Sequence, residues 1–190
     1  MITIRPGSHV HTLIVLLSFV GEFPMSSLHL LGSVRSYKDL IRKLNHEQEF
    51  RFHDTDFRMT CRLLTVSGKK KYKTVRFHKS ALPLLQNFNG RAYQYYLDAF
   101  RDHSFSGNQN HVDRNHRIAE TALMCMKAGI EARPTETAYL MSTEVRRLQV
   151  QKPYFYLARE LKQVNEYELN KIRFTRLVGA IVYPGGAYAV

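Results

Sequence analysis

Cysteine is scarce in this 190-residue chain: only Cys61 and Cys125 occur. They lie far apart, each stands in an apolar run, and no CxxC pair exists. That spacing excludes a zinc finger and predicts two buried free thiols of a reducing compartment. Long apolar runs are missing too. None reaches the roughly 18–20 residues that span a bilayer. The run 13–20 (LIVLLSFV) follows Arg5, but Gly21-Glu22-Phe23-Pro24 closes it instead of a small-residue cleavage site, and His9 and His11 precede it. It reads as a buried helix of a cytoplasmic protein rather than as a signal peptide. There is no Gly-rich phosphate loop, nucleophile elbow, Ser/His/Asp pattern or internal repeat.

Acidic residues are also few. Sixteen Asp and Glu face 28 Lys and Arg, a formal charge of +12. Such a balance favours phosphate-bearing partners, most simply nucleic acid. The excess is uneven. Residues 1–90 hold 14 Lys and Arg against 6 Asp and Glu, whereas residues 91–190 hold 14 against 10. Hydrophobic content of 44% is enough for a packed core.

What is present is most telling at 60–78 (TCRLLTVSGKKKYKTVRFH). Two strand-forming runs, 59–66 and 72–77, flank Ser67-Gly68, and Lys69, Lys70, Lys71 and Lys73 crowd the turn. Like charges make such a tip costly unless a polyanion neutralises it. Arg76 and His78 extend the same run. Lysines at a hairpin tip contact phosphates as point charges, with little base preference.

Three helical segments precede the hairpin. Ser8 caps a helix over 9–19 in which Val10, Leu13, Ile14 and Leu17 share a face. Ser26 or Ser27 starts a short second helix ending at Gly32. Ser36 caps a third over 37–45, with Leu40, Ile41 and Leu44 inward. Ser36, Tyr37, Lys38, Arg42 and Lys43 are its candidate DNA-contacting residues. Residues 46–56 read as a loop. Helices followed by a basic hairpin make the winged-helix order.

A boundary is expected at Asn87-Phe88-Asn89-Gly90. Beyond it come an aromatic helix over 91–100, a loop over 102–111, and a patterned helix over 113–128 that Gly129 stops. Tyr93, Tyr95, Tyr96 and Phe100 are candidates for core or for a homodimer interface. Asp113, His116 and Glu120 fall close to one helix face and are candidates for a metal or acid–base site, with Asp113 as N-cap the plainer reading. Residues 136–141 read as irregular. The segment 154–164 fits a strand by its aromatics and a helix by ARELK. The stretch 176–183 reads as a strand, Pro184-Gly185-Gly186 as a type II turn, and 187–190 as a returning strand. The chain stops inside that strand, so a fragment of a longer protein is expected. Glu160 and Lys162 form an E-x-K pair, half of a divalent-ion nuclease core.

Four phrases together resemble the replication-relaxation proteins of plasmids and integrative elements: 13–24 (LIVLLSFVGEFP), 68–83 (GKKKYKTVRFHKSALP), 115–120 (NHRIAE) and 175–188 (TRLVGAIVYPGGAY). The resemblance implies an N-terminal winged helix, an α/β portion like restriction endonucleases, and a role in element replication and DNA handling. Nuclease-like members carry an aspartate after a proline and a later glutamate. Here Thr135 follows Pro134, and only Glu160 and Lys162 match the second half.

The expected protein is thus α+β. A winged helix-turn-helix domain over 1–90 binds double-stranded DNA. A small α/β domain over 91–190 is a nuclease remnant or an assembly module. A second copy or replication and relaxosome proteins are the expected partners, with no membrane and no cofactor. The rival readings are a metal-dependent nuclease or nicking accessory and a protein-interaction adaptor whose charge is incidental.

Overall fold

The first apolar run folds as the helix its spacing predicts. In the computed structural model, which describes residues 1–105, 108–140, 151–167 and 177–190, helix α1 (His9–Val20) starts at Ser8, whose Oγ accepts the His11 N–H at 3.3 Å. Leu13, Ile14 and Leu17 are fully buried, as are most of their neighbours, because the run is apolar nearly all round. Gly21 ends it with φ 79°, and a Cβ there would lie 2.4 Å from the Phe100 ring. Glycine therefore meets both a left-handed backbone and a close approach.

Three strands and two more helices complete the first motif. Strand β2 (Glu22–Pro24) leads through a 3₁₀ turn into the single-turn α2 (Leu28–Leu31), and α3 (Val34–Leu44) follows Gly32. Strands β5 (Leu64–Ser67) and β6 (Thr74–Phe77) form an antiparallel hairpin, and β2 pairs antiparallel with β6. The sheet order is β2-β6-β5.

Two expectations are corrected here. Residues 46–56 are not all loop. Strand β3 (Gln48–Phe52) lies parallel to β1 (Ile2–Ile4) and antiparallel to β4 (Arg58–Cys61). Only one of its faces is needed inside: Phe50 is buried while Glu49 is exposed, so its polar count hid a strand. The expected single strand 59–66 is two strands in different sheets. Arg62 stands at the break, with Nε donating to the Leu64 carbonyl at 3.1 Å and Nη2 to Asn45 Oδ1 at 2.7 Å.

The chain divides into two compact units, Met1–Ala119 and Glu120–Val190, rather than at residue 90. Asn87–Gly90 is instead a helix–helix corner. Helix α4 (Leu82–Phe88) ends there, and the Asn89 side chain caps α5 (Gly90–Ala99), which packs on α1. Tyr96 is fully buried, tilted edge-on to Phe77 with centroids 5.5 Å apart, and Phe100 lies 5.0 Å away. Those two aromatics are core, while Tyr93 and Tyr95 are half-buried. Helix α6 (Gln109–Lys127) starts earlier than the sequence suggests. Asn108 caps it by accepting the Asn110 N–H at 2.9 Å, so Asp113 is an exposed residue inside the helix and not its cap.

In the second unit the ambiguous segment 154–164 is both things in turn. Its aromatics form β7 (Tyr154–Leu157), and ARELK opens α7 (Ala158–Tyr167). Strands β8 (Gly179–Tyr183) and β9 (Gly186–Ala189) complete the antiparallel sheet β7-β8-β9. Gly185 has φ 93°, as a type II turn after Pro184 requires. The expected strand start at Arg176 and the residue Met141 lie outside the described residues. Leu140, Tyr156 and Val182 form a buried cluster, and the Tyr156 hydroxyl donates to the Ala138 carbonyl at 2.8 Å. Among the described residues no helix is long and apolar enough to cross a membrane.

Candidate nucleic-acid interface

Six residues, Gly68 to Lys73, join β5 to β6, and their backbone is held rather than loose. Ser67 and Thr74 are the last paired positions. Gly68 takes φ 79°, and a Cβ on it would stand 2.2 Å from the Tyr72 carbonyl oxygen. Lys70 also sits in the left-handed region, at φ 50°, which is uncommon for a residue with a side chain. A 3₁₀ turn follows, with the Tyr72 N–H on the Lys69 carbonyl at 3.0 Å and the Lys73 N–H on that of Lys70 at 3.2 Å. The foot of the tip is tied down as well, since the Met25 N–H donates to the Lys73 carbonyl at 2.8 Å.

Lys69, Lys70, Lys71 and Lys73 are all exposed. None of them makes an ion pair among the described residues. Lys71 Nζ stands 4.9 Å from the Tyr72 ring centroid, a cation–π contact that leaves its charge in place. A rigid turn therefore presents four ammonium groups to solvent. Arg76 does not join them. It is half-buried on β6, opposite Glu22, with its guanidinium 4.9 Å from the Phe105 centroid, so it serves the interior of the first unit.

The third helix begins one turn earlier than expected. Ser33 is its cap, accepting the Ser36 N–H at 3.4 Å, and Ser36 is in the first turn. Ser36, Lys38, Arg42 and Lys43 are exposed as anticipated. Arg42 pairs with Asp39 at 2.8 Å, but both are well exposed, so the bond contributes little. Tyr37 is a correction. It is 2% exposed, and its ring lies 4.5 Å from that of His9. Burial raises its pKa, as expected for a phenol withdrawn from water. A side chain so enclosed belongs to the α1–α3 contact, not to a groove. Arg35 was missed. With Ser33 as cap it moves into the first turn, where it is exposed. The signal was present in Gly32-Ser33, a helix stop followed at once by a capping residue.

Helix and hairpin meet at Asn45. This residue ends α3, and its Oδ1 accepts both Arg62 Nη2 at 2.7 Å and the Val66 N–H at 3.3 Å. Those bonds fasten the end of the helix to strand β5. The polar face of α3 and the lysine tip therefore belong to one braced unit.

The second set of candidates does not converge. Glu160 occupies the third position of α7, and its Oε2 accepts the Leu157 N–H at 2.7 Å, the return half of a capping box. Burial pushes its carboxyl up to about 7. Lys162 is exposed on the same helix. Asp113 is exposed, His116 is buried against Thr74, and Glu120 is half-buried. Among the described residues no three His, Cys, Asp or Glu side chains gather as a metal site would need. Both cysteines are buried and free, and burial raises the Cys61 thiol to about 11.

The raised Glu160 carboxyl gives a prediction for stability. Its folded pKa lies above its unfolded value, so the folded state holds the proton more tightly. Stability contributed by this group is complete below about pH 4.5 and declines as pH rises to about 7. Glu160→Gln keeps an oxygen for the Leu157 N–H without the charge. It should abolish that decline and stabilise the protein by on the order of 2 kcal/mol at pH 8, while leaving pH 4.5 nearly unchanged. Urea titrations at the two pH values measure this, and equal slopes of stability against pH in parent and variant would refute it.

No family model, curated protein or solved structure matches this chain.

Proposed function

We propose that the first unit is a winged helix that binds double-stranded DNA, with α3 in the major groove and the 68–73 turn on the adjoining backbone. The connectivity supports it: α1, β2, α2, α3, β5, β6, with β2 seated against β6. The β3–β4 ribbon is an insertion in that order. The observation that carries the reading is the braced turn with four exposed lysines, fastened at one end beside α2 and bonded through Asn45 to α3. Building like charges into a stiff turn is unfavourable in isolation, and phosphates relieve it. The proposed setting is the cell interior, on a plasmid or integrative element, with the replication-relaxation resemblance as its source. A second copy or replication proteins are the proposed protein partners.

Fluorescence anisotropy with a labelled duplex at 50–200 mM salt tests this. Log affinity should fall linearly with log salt, with a slope of roughly −0.9 for each phosphate neutralised. Binding insensitive to salt, or none at 50 mM, would overturn it. Within the complex, Arg35 and Lys38 should govern sequence preference. Arg35→Ala or Lys38→Ala should relax selection at one or two base pairs by about 1–3 kcal/mol, read by selection from a randomised duplex pool. An unchanged consensus in both variants would place α3 outside the groove.

A nuclease is not favoured by any contact at Glu160. Its carboxylate already accepts a backbone N–H, and among the described residues it belongs to no group of three His, Cys, Asp or Glu side chains that could hold a metal ion.

A further inference from the structure

Behind the wing sheet, two consecutive residues of α6 reach two buried polar groups. His116 is 7% exposed, and its Nε2 lies 2.7 Å from Thr74 Oγ1. Asn115 Nδ2 donates to Glu22 Oε1 at 2.9 Å. Thr74 and Glu22 are each 2% exposed, on β6 and β2 respectively. Burial raises the Glu22 carboxyl, with the Asn115 bond and the Arg76 charge opposing it. Polar groups so withdrawn from water are costly unless they are paired, and pairing at fixed angles sets position as apolar contact does not.

The His116 bond runs directly into the lysine turn. Thr74 follows Lys73, and its hydroxyl donates to the Tyr72 carbonyl at 3.0 Å. A hydroxyl has one proton. With that proton on Tyr72, Thr74 Oγ1 accepts from His116 Nε2–H. The same Tyr72 carbonyl is the atom that a Cβ on Gly68 would strike. So the carbonyl at the foot of the tip lies close against the bare Gly68 on one side and accepts the Thr74 hydroxyl of the His116–Thr74 relay on the other.

We propose that α6 sets the position of the wing, with His116 and Asn115 as positioning residues for duplex binding through Thr74 and Glu22. This rests on the DNA-binding reading for its consequence, but not for its physical content. His116 touches no ligand. It orients the turn that carries Lys69, Lys70 and Lys71.

Hydrogen exchange of the free protein and duplex affinity, measured on the same variants, test it. His116→Ala should speed amide exchange at residues 69–73 about tenfold or more, beyond any change in α1 or α5. Duplex affinity should fall several-fold while the salt slope stays that of the parent, because every lysine remains. His116→Gln places a donating amide where Nε2 stands and should restore both readouts. Thr74→Val removes the relay from its other end without a change of volume, and should reproduce His116→Ala; it also serves if the histidine variant folds poorly. Exchange at 69–73 equal to the parent, or raised evenly across the first unit with no rescue by glutamine, would overturn the proposal. If the parent protein itself fails to bind duplex, the DNA reading falls, and the exchange measurement alone still decides whether α6 holds the turn.

Discussion

Replacing Lys69, Lys70 and Lys71 together by alanine is expected to weaken binding to every duplex sequence by a similar factor, on the order of 10- to 100-fold at 100 mM salt. Three exposed ammonium groups without ion-pair partners among the described residues are lost, together with the contact of Lys71 on the Tyr72 ring. The left-handed Lys70 becomes a left-handed alanine, at modest cost, and the bonds of the 3₁₀ turn are made by the backbone. The slope of log affinity on log salt should shrink in magnitude by about 2 to 3, close to one for each phosphate contact removed. Thermal stability should stay the same or rise slightly as repulsion is relieved. Anisotropy titrations at three salt concentrations read all of this. A variant that kept the parent slope would remove the lysine turn from the interface.

Tyr37 should behave in the opposite way, with a large effect on folding and a small one on recognition. It is 2% exposed and lodged between α3 and α1. Tyr37→Ala opens a cavity at that contact, and the expected loss is about 3–5 kcal/mol, a large part of a small domain's stability. Tyr37→Phe removes only the hydroxyl and keeps the packed ring, at about 1 kcal/mol. Urea unfolding measures both. In the phenylalanine variant duplex affinity and consensus should match the parent. Lost sequence preference in Tyr37→Phe, with stability intact, would mean that the hydroxyl reaches a base after all.

Much of the first unit could be read from residue chemistry. Ser8 and Gly21 bracket α1 because one hydroxyl and one left-handed glycine satisfy the loose ends of a helix. The lysine hairpin stood out because its flanks favour strands and its centre does not. Other features escaped for physical reasons. Gln48–Phe52 hides as a strand because only Phe50 is fully buried, so its polar residues outnumber its signal. Asn45 and Arg62 are unremarkable letters 17 positions apart, and only the folded chain shows the amide bridging α3 and the β5–β6 hairpin. Tyr37 looked available because a helix shows its faces only when its partners are known. His116 seemed a metal candidate beside Asp113 and Glu120, yet its Nε2 meets Thr74, 42 residues away. Spacing along one helix speaks of shared faces, not of which face turns inward.

The central claim is that α3 and the lysine turn contact one duplex together. Amide chemical-shift mapping on addition of a duplex tests it most directly. The account predicts shifts concentrated in residues 34–43 and 68–73, saturating together at one protein-to-DNA ratio, with the β3–β4 ribbon and strands β7–β9 little changed. Shifts confined to the second unit, or to only one of the two segments with the other silent, would contradict it.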